Sequence, residues 1–590
     1  MIYVNLGDTS NNKTISHSNI DFVLPKNNKE IQIHKKNEKL IIIDGFFFCP
    51  KDVCKLIKCN YYQNQAEIIS NLSDSDIEKF LIKVDGFFNL FVIDLEKPSI
   101  KVFSDHVGSK QVYFAFFDGD LFLSKDIKNI LRKFRKPKLN KSKLTEYFSL
   151  MNNFCGETFY EGIYEIKARE SISFNQNSFK RREYFKFAID TNNLSVEQNS
   201  VLLRNSFLKS VDNCAYYYSG KIATALSGGL DSSSITSGLK FINKKDFVSK
   251  TATFIHDIES EGKKSYELNY SRHLSSKLNI KQDEIPLFET GCISDLKETS
   301  NIFCEPKLLV NGYIHHAIFK NLKAQNIEIY LDGFAGDSVI NHGYSLLVKL
   351  AKKFKFNELI RLDKLIHANK GGKYSLKRTI FKYIIPSFLP EKFLWHLQNL
   401  IQRGNIYKRF ELKLGAKNRF KNLYSELLRR YGCLPNSFSK SPEEWHLMNV
   451  SSNEITTSIR DASLLAKKYG VNILFPFLSK ELIQLSLNVP IEQKLYEGID
   501  RYVFRLSMQN IVPSKILNRN TKSDLSLFSK KQARELEYSH IEKIINLRCK
   551  GLFDELYLRE EVFNGKGDTS EAYQVYEFVF WMEKNDLYLE

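Results

Sequence analysis

Residues 221–234 read KIATALSGGLDSSS, and this stretch is the most informative one in the chain about the fold. Residues 222–226 form an apolar, strand-like run, which SGGLDSS (residues 227–233, the SGGLDSS loop) follows directly. Its glycines permit a tight turn close to an anion, and its serines favour the start of a helix whose free N–H groups attract phosphate. Asp231 adds a carboxylate, which a phosphate site accepts when Mg²⁺ or a similar cation lies between the two anions. The lysine of a Walker loop is absent, which excludes that class of phosphate site.

The SGGLDSS loop resembles the pyrophosphate loop of the N-type ATP pyrophosphatases, which split ATP into AMP and pyrophosphate. The alternative is an ordinary Ser/Gly-rich turn, a common meaning of a lone S-G-G. The full seven-residue string directly after a strand favours the nucleotide interpretation.

A second loop repeats the order strand, glycine, carboxylate, helix. Residues 332–337 read DGFAGD (the DGFAGD loop) and follow the strand-like residues 327–331. Since both loops follow strands of one predicted sheet, we expect Asp231 and Asp337 to face each other at its edge. Two carboxylates at one phosphate site repel unless a divalent cation joins them. The alternative is that Asp337 only caps a helix.

Composition indicates a globular protein of two or three domains. The chain has 590 residues, of which 43% are hydrophobic and 13% aromatic. It contains no apolar run of about 18 residues, and its N-terminus lacks the apolar core of a signal peptide. The nine cysteines are scattered, with neither zinc spacing nor a disulfide frame. We therefore expect a cytoplasmic protein without a membrane span.

The positive charge is concentrated in one segment. Residues 346–430 carry 21 lysines and arginines against five acidic residues, and so account for 16 of the chain's net +18. Aromatic residues are interleaved with these charges, which suits an acidic peptide or another anionic partner. The alternative is a set of solvated amphipathic helices. No nucleic-acid-binding motif accompanies the segment, so no specific nucleic-acid partner is expected.

The chain divides into a β-rich region and an α/β region. Residues 1–190 contain strand patterns and an Asp118-Gly119 hairpin turn, and residues 190–200 read as a polar linker. From residue 201 to 590, strands alternate with helices, which predicts a parallel sheet with ligands at the carboxyl ends of its strands. Residues 346–430 form a basic helical insert, and the remaining tail is mostly helical.

The chain resembles the asparagine synthetase family. Segments that match in order are residues 84–88, 105–113, 227–233, 332–337, 469–478 and 494–522. The resemblance implies an α/β protein with an N-terminal, degenerate glutaminase-like domain of the Ntn αββα type. It further implies a C-terminal parallel-sheet synthetase domain of the adenine-nucleotide α-hydrolase-like type, the fold of the N-type ATP pyrophosphatases.

The same resemblance implies a site. Mg²⁺ would lie on Asp231 and Asp337, and Lys522 matches the family's catalytic lysine. His342, Glu454 and Asp461 are polar candidates for a general base. ATP and its pyrophosphate would be held by Leu226, Ser227, Gly228, Gly229, Asp231, Ser232, Asp332 and Gly333.

Several positions depart from the family pattern. Glutamine-dependent members need a cysteine after the initiator methionine, whereas this chain has Ile2 and no cysteine before Cys49. Isoleucine cannot attack an amide, so we expect an inactive glutaminase domain. Phe334 stands where asparagine-forming members carry glutamate and β-lactam-forming members carry tyrosine. Asn472, Leu474 and Ser479 replace the usual Glu, Arg and Asp, so aspartate is a doubtful substrate.

The sequence thus predicts an AMP-forming carbon–nitrogen ligase that adenylates a carboxylate for attack by an amine. Lasso-peptide cyclases, relatives without the thiol, close a macrolactam on an acidic precursor peptide and fit best, with a leader peptidase as partner. An alternative is amidation of a small or polysaccharide-linked carboxylate, such as a uronic acid. Another is a non-catalytic scaffold that binds a peptide or glycan.

Overall fold

The computed structural model shows two compact units. Unit 1 comprises Met1–Phe187 and Asn453–Asp461, and unit 2 comprises Ala188–Ser452 and Ala462–Glu590. The structure describes residues 2–7, 12–17, 20–25, 30–48, 64–97, 99–134, 137–148, 156–175, 178–216, 221–242, 247–253, 266–287, 302–307, 312–390, 440–519, 538–550, 552–553, 558–559 and 569–588.

Unit 1 contains two six-stranded sheets. The first sheet has the spatial order Ile163–Glu165, Tyr113–Phe117, Asp120–Ser124, Ile2–Asn5, Ile20–Pro25 and Asn12–His17. Its strand Ile2–Asn5 pairs in parallel with both neighbours, and its other pairs are antiparallel. The second sheet is antiparallel, with the order Ser178–Glu183, Glu170–Asn175, Ser99–Ser104, Asp85–Asp94, Lys39–Phe48 and Ile31–Lys36.

The side-chain alternation of the strands explains the layering of unit 1. One core joins the facing surfaces of the two sheets, for example through Val4 and Phe91. The next residues along the second sheet point the other way and pack on helices Gln65–Ser70 and Asp74–Lys83. Helix Ile127–Leu131 contacts the first sheet. A further helix of unit 1 spans Lys141–Phe148. The predicted αββα architecture is confirmed.

A short stretch from far along the chain belongs to unit 1. Arg460 lies in helix Asn453–Lys468 and is buried. Its Nε donates to the carbonyl of Gly108 at 2.6 Å, and its Nη2 donates to the carbonyl of Ile166 at 2.8 Å. Thr456 donates to the carbonyl of Val107 at 2.9 Å. These bonds join the helix to three backbone carbonyls of loops in residues 1–187.

Unit 2 is built on a five-stranded parallel sheet. Its spatial order is Gln282–Pro286, Phe247–Thr253, Ile222–Ala225, Ile329–Leu331 and Asn472–Leu474. All four pairings are parallel, as the alternation of strands and helices predicts. A short antiparallel pair, Leu495–Tyr496 with Ile499–Asp500, stands apart from this sheet.

Helices make up most of the rest of unit 2. Their bounds are Val196–Tyr216, Leu230–Phe241, Tyr266–Leu278, Gly312–Ala324, Gly336–Ile340, Ser345–Lys352, Phe356–Asn369, Leu376–Thr379, Ile380–Ile384 (a π-helical turn), Ile385–Phe388, Pro442–Val450, the remainder of Asn453–Lys468, Pro476–Leu478 (3₁₀), Lys480–Asn488, Ile491–Lys494, Tyr502–Ser507, Ser514–Leu517, Tyr538–Arg548 and Thr569–Lys584. The predicted α/β class, parallel sheet and helical tail are confirmed.

Two local predictions had different outcomes. Asp118 and Gly119 both have positive φ, 51° and 82°, as a two-residue hairpin turn requires. The linker assignment was wrong in part, because helix Val196–Tyr216 begins inside it. Ser195 accepts a hydrogen bond from the Gln198 N–H at 3.2 Å and thereby caps that helix. Among the residues described, no helix is long and apolar enough to cross a membrane.

Candidate functional site

The SGGLDSS loop joins strand Ile222–Ala225 to helix Leu230–Phe241 at the carboxyl edge of the parallel sheet. Ser232 Oγ accepts a hydrogen bond from the Ser227 N–H at 3.1 Å, which folds the loop onto the helix start. Gly229 is the N-cap residue and makes no side-chain cap. The first amides of this 12-residue helix therefore face the cavity next to the loop, where an anion is favoured.

The DGFAGD loop packs directly against the SGGLDSS loop. It follows strand Ile329–Leu331, and Asp332 Oδ1 accepts from the Phe334 N–H at 2.8 Å. Gly336 leaves no room for a side chain, since an added Cβ would lie 2.7 Å from Asp231 Cγ. The two loops thus meet edge to edge, and Asp337 stands beside Asp231 as the sequence led us to expect.

Arg501 joins the two carboxylates. Its Nη1 lies 2.9 and 3.0 Å from the two oxygens of Asp231 and 2.5 Å from Asp337 Oδ1. Burial lowers the pKa of Arg501, but the charges of Asp231, Asp337 and Asp500 outweigh burial and raise it above its ordinary value. Arg501 was not among the predicted site residues, although it lies within residues 494–522, which resemble the asparagine synthetase family.

A chain of polar side chains continues from Asp337 towards the surface. His342 Nε2 lies 3.8 Å from Asp337 Oδ1, and His342 Nδ1 lies 3.0 Å from Asp500 Oδ2. Tyr344 donates to the same Asp500 oxygen at 2.6 Å, and Lys370 donates to the Tyr344 hydroxyl at 2.5 Å. Burial raises the pKa of Asp500, but the hydrogen bond with His342 and the charge of Arg501 outweigh burial and hold it well below its usual range.

Two further arginines fix the backbone around the site. Arg505 donates to the Asp500 carbonyl at 2.8 Å and to Asp500 Oδ1 at 2.9 Å. Arg519 donates to the carbonyl of Gly228 at 2.9 Å, and its guanidinium lies 4.4 Å from the ring centroid of Tyr270. Arg505 is five residues from Asp500, whereas Arg519 is 291 residues from Gly228, so sequence spacing did not reveal the contact of Arg519.

The two loops and the three arginines line one cavity of about 480 Å³. Apolar lining comes from Ala225, Leu226, Ala252, Leu287, Ile314, Ile318 and Tyr330. Charged lining comes from Lys250, Glu267 and Lys370 and from the two loops with His342, Asp500, Arg501, Arg505 and Arg519. Asp332 and His315 also line the cavity, with Nε2 of His315 4.0 Å from Asp332 Oδ2. Burial raises the pKa of Asp332 and lowers that of His315. An adenosine and a polyphosphate would match the apolar and the charged lining in polarity.

The structure brings most of the predicted site residues together. Leu226, Ser227, Gly229, Asp231, Ser232, Asp332, Gly333 and Asp337 all line the cavity. Gly228 contributes the carbonyl bound by Arg519, and Lys522 lies outside the described residues. Of the three candidates for a general base, His342 lines the cavity, whereas Glu454 and Asp461 do not. The chemical roles of these residues stay predictions.

The carboxylates suit Mg²⁺ held together with phosphate. Asp231 and Asp337 both contact one nitrogen of Arg501, so a single cation at that position can contact both. In the part of the chain that is described, no cluster of three or more His, Cys, Asp or Glu side chains forms a protein-only metal cage. Mg²⁺ commonly binds through one or two carboxylates and substrate phosphates, which matches this donor set.

Two family models match the chain. The asparagine synthase model matches residues 202–583, and the glutamine amidotransferase domain model matches residues 37–185. Together with the two units of the structure, these matches confirm the family predicted from the sequence motifs.

Similar proteins are distant in sequence. A glutamine-hydrolyzing asparagine synthetase (number 3) of Bacillus subtilis strain 168 is 19% identical over 500 residues, which cover 82% of this chain and 75% of that protein. Synthetase number 1 of the same strain is 21% identical over 461 residues, 75% of this chain and 68% of that protein. A solved glutamine phosphoribosylpyrophosphate amidotransferase of B. subtilis aligns with 9% identity and a TM-score of 0.19 over 52% of this chain and 58% of its own.

Proposed function

Because the chain belongs to the asparagine synthase family, a family of ATP-dependent amidating ligases, we propose that it adenylates a carboxylate and passes the acyl group to an amine. The observation that carries this proposal is one cavity whose lining is partly apolar and partly charged, where Asp231 and Asp337 share one cation. The products are an amide, AMP and pyrophosphate.

The reaction has two steps. A carboxylate oxygen attacks the α-phosphorus of ATP, and the bond from that phosphorus to the bridging oxygen breaks, so pyrophosphate leaves. The amine nitrogen then attacks the acyl carbon, the bond to AMP breaks, and the amine loses a proton. Mg²⁺ supplies charge neutralisation for the leaving pyrophosphate. The SGGLDSS loop binds that group through N–H and hydroxyl donors, which stabilise the charge that develops on it.

The side chain of Phe334 argues against free aspartate as the substrate. Phe334 is 37% exposed beside the cavity, and its ring lies 6.1 Å from that of Phe475. A phenyl ring offers neither a charge nor a hydrogen bond to the ammonium group of an amino acid. A carboxylate within a peptide has amide neighbours instead, and a flat apolar ring suits that surrounding better.

Exposed basic and aromatic side chains on the described part of the insert (residues 346–430) support a peptide as the substrate. Phe354 is 70% exposed, and its ring lies 5.2 Å from that of Phe388, also exposed. Lys353, Lys355 and Lys382 are exposed nearby in sequence. Aromatic and cationic groups together attract an acidic chain with apolar side chains. We therefore favour a lasso-peptide-type cyclase, in which an Asp or Glu side chain of a precursor joins that precursor's own N-terminal amine.

Unit 1 then serves as a scaffold that does not hydrolyse glutamine. Ile2 is 6% exposed and begins strand Ile2–Asn5, between two parallel neighbours. Its side chain carries no nucleophile, and the described residues of unit 1 include no cysteine. We further propose that the enzyme acts in the cytoplasm, where ATP is available, after a leader peptidase has freed the precursor's amine.

Pyrophosphate release from Mg-ATP tests this function. The purified protein is assayed with acidic precursor peptides, with uronic acids plus ammonia, and with aspartate plus glutamine, beside Asp231→Ala. We expect pyrophosphate, AMP and a peptide product lighter by one water only with a precursor peptide, and none with Asp231→Ala. Turnover with uronic acids would favour polysaccharide amidation, and turnover with aspartate plus glutamine would contradict the inactive glutaminase. No turnover and no ATP binding by calorimetry would leave a non-catalytic scaffold.

A further inference from the structure

Arg501 occupies the position that a metal ion would need. One guanidinium nitrogen contacts Asp231 and Asp337 together, at 2.9 and 2.5 Å. The side chain of Arg501 is 11% exposed, so water solvates its charge poorly. The two carboxylates, together with the charge of Asp500, compensate for burial of this cation.

The backbone conformation at Arg501 is imposed by the residues around it. Arg501 has a φ of 52°, in the left-handed region, just before helix Tyr502–Ser507. This conformation is unfavourable for a residue that carries a side chain. Arg505 donates hydrogen bonds to the carbonyl and the carboxylate of the preceding residue, Asp500. The backbone at Arg501 is thus held in place, so any change of partner must come from rotation of its side chain.

A second cation at these carboxylates would lie close to the charge of Arg501. A guanidinium and Mg²⁺ would repel each other there, whereas a polyphosphate in the same cavity brings negative charge that a displaced guanidinium can bind. Arg501 lines that cavity together with the SGGLDSS loop. If the guanidinium exchanges the two carboxylates for phosphate oxygens, Arg501 has an anionic partner both before and after the polyphosphate binds.

We propose that Arg501 is the resident counter-ion of the metal site. It neutralises Asp231 and Asp337 before loading, yields them to Mg²⁺, and then positions the polyphosphate. This inference rests on the proposed function for its nucleotide, but the competition between arginine and metal is independent of turnover. The predicted consequence is that metal without nucleotide binds weakly to the natural protein.

Metal titration without nucleotide is the test. Mn²⁺, as a probe for Mg²⁺, is titrated into the full chain, Arg501→Gln and the matched control Arg361→Gln. Arg361 forms an exposed ion pair with Glu497 at 3.1 Å and does not line the cavity. We expect Arg501→Gln to bind Mn²⁺ roughly 10-fold more tightly than the natural chain and Arg361→Gln to match the natural chain. Asp231→Asn added to Arg501→Gln should abolish the gain, which assigns it to this site.

The nucleotide complex should respond in the opposite direction. Loss of a charge-assisted contact weakens binding of Mn²⁺-ATP to Arg501→Gln, roughly 10-fold. If Arg501→Gln fails to fold, Arg501→Lys replaces it. A single ammonium competes less well than the guanidinium, so metal alone should bind between the two extremes. Unchanged or weaker binding of metal alone in a folded variant would overturn the proposal. If the natural chain turns over none of the three substrate classes and binds no ATP, while Arg501→Gln binds metal more tightly, the ligase is refuted and the counter-ion role stays intact.

Discussion

Gly336 sets how closely the DGFAGD loop approaches Asp231. An alanine Cβ there would lie 2.7 Å from Asp231 Cγ and 2.8 Å from Oδ1. We expect Gly336→Ala to destabilise the protein by about 1–3 kcal/mol and to remove most ATP-dependent pyrophosphate release, because Asp231 must shift. Gly372→Ala is the matched control, since its Cβ would meet nothing nearer than His367 Nδ1, at 3.3 Å. Equal activity of the two variants in the pyrophosphate assay would show that this close approach is unimportant.

Lys494 provides a pH-dependent test at a buried site. Its Nζ lies 2.9 Å from His446 Nδ1 and donates to the Ser486 carbonyl at 2.7 Å. Burial lowers the pKa of Lys494 to about 7, and Glu443 opposes that shift only in part. An unfolded lysine has a pKa of about 10.4. Between these values the unfolded chain binds more protons, so this residue makes the free energy of unfolding rise with pH.

The measurement compares unfolding midpoints of the natural chain and Lys494→Met from about pH 7 to pH 10. We expect the natural chain to gain stability relative to the variant as pH rises through this window. Lys209→Met, which loses only an exposed ion pair with Glu481, should follow the natural chain in parallel. A constant difference between the natural chain and Lys494→Met at every pH would contradict the lowered pKa.

Some site residues could be predicted from the sequence and others could not, for a physical reason. The SGGLDSS and DGFAGD loops are local patterns, since glycines, hydroxyls and carboxylates act within seven residues of one another. Arg501 contacts Asp231 across 270 positions and Asp337 across 164. Such a pairing exists only after the chain has folded, so the spacing of residues in one sequence carries no trace of it.

Two paired strands of unit 1 leave no room for a side chain at Gly86. Lys39–Phe48 and Asp85–Asp94 are antiparallel neighbours in one sheet, and a Cβ on Gly86 would lie 2.4 Å from the Phe46 carbonyl oxygen. Backbone on both sides leaves no flexible side chain to yield. We expect Gly86→Ala to destabilise unit 1 by about 3 kcal/mol, visible as an earlier calorimetric transition. The exposed-strand change Lys180→Ala serves as the control, and an unaltered transition in Gly86→Ala would count against this packing.

Helix Pro442–Val450 depends on its first turn. Ser441 Oγ accepts from the Glu444 N–H at 3.1 Å, and Glu444 Oε2 accepts from the Ser441 N–H at 2.8 Å, a complete capping box. Ser441→Ala should cost about 1 kcal/mol of stability, measured by denaturant titration. Ser441→Thr keeps the hydroxyl and should cost far less. Identical losses in the two variants would mean that the cap contributes nothing.

At the scale of the whole molecule, charge predicts how a peptide substrate binds. Residues 346–430 carry most of the net positive charge, and acidic peptides approach such a surface faster at low salt. We expect the affinity for an acidic precursor to fall roughly 10-fold from low to high ionic strength, measured by fluorescence anisotropy. A precursor with its acidic residues changed to amides, except at the cyclisation site, should show little salt dependence. Equal slopes for both peptides would refute electrostatic recognition.

The general architecture was predictable because it follows from patterns that repeat along the chain. Alternating strands and helices predict a parallel sheet, and each strand's carboxyl end then lies at one edge. The assignment of residues 453–461 to unit 1 had no such signal. They lie within an ordinary helical pattern, and only the buried contacts of Arg460 and Thr456 with loops of unit 1 reveal their place.

Those contacts also bear on the order in which the protein matures on the ribosome. Residues 1–187 leave the exit tunnel first, but the donors for the Gly108 and Ile166 carbonyls belong to Arg460. At ordinary translation rates, the intervening chain takes on the order of tens of seconds to synthesise. During that interval those carbonyls lack the Arg460 donors. The unit that is made first is therefore completed only after most of the polypeptide has been translated.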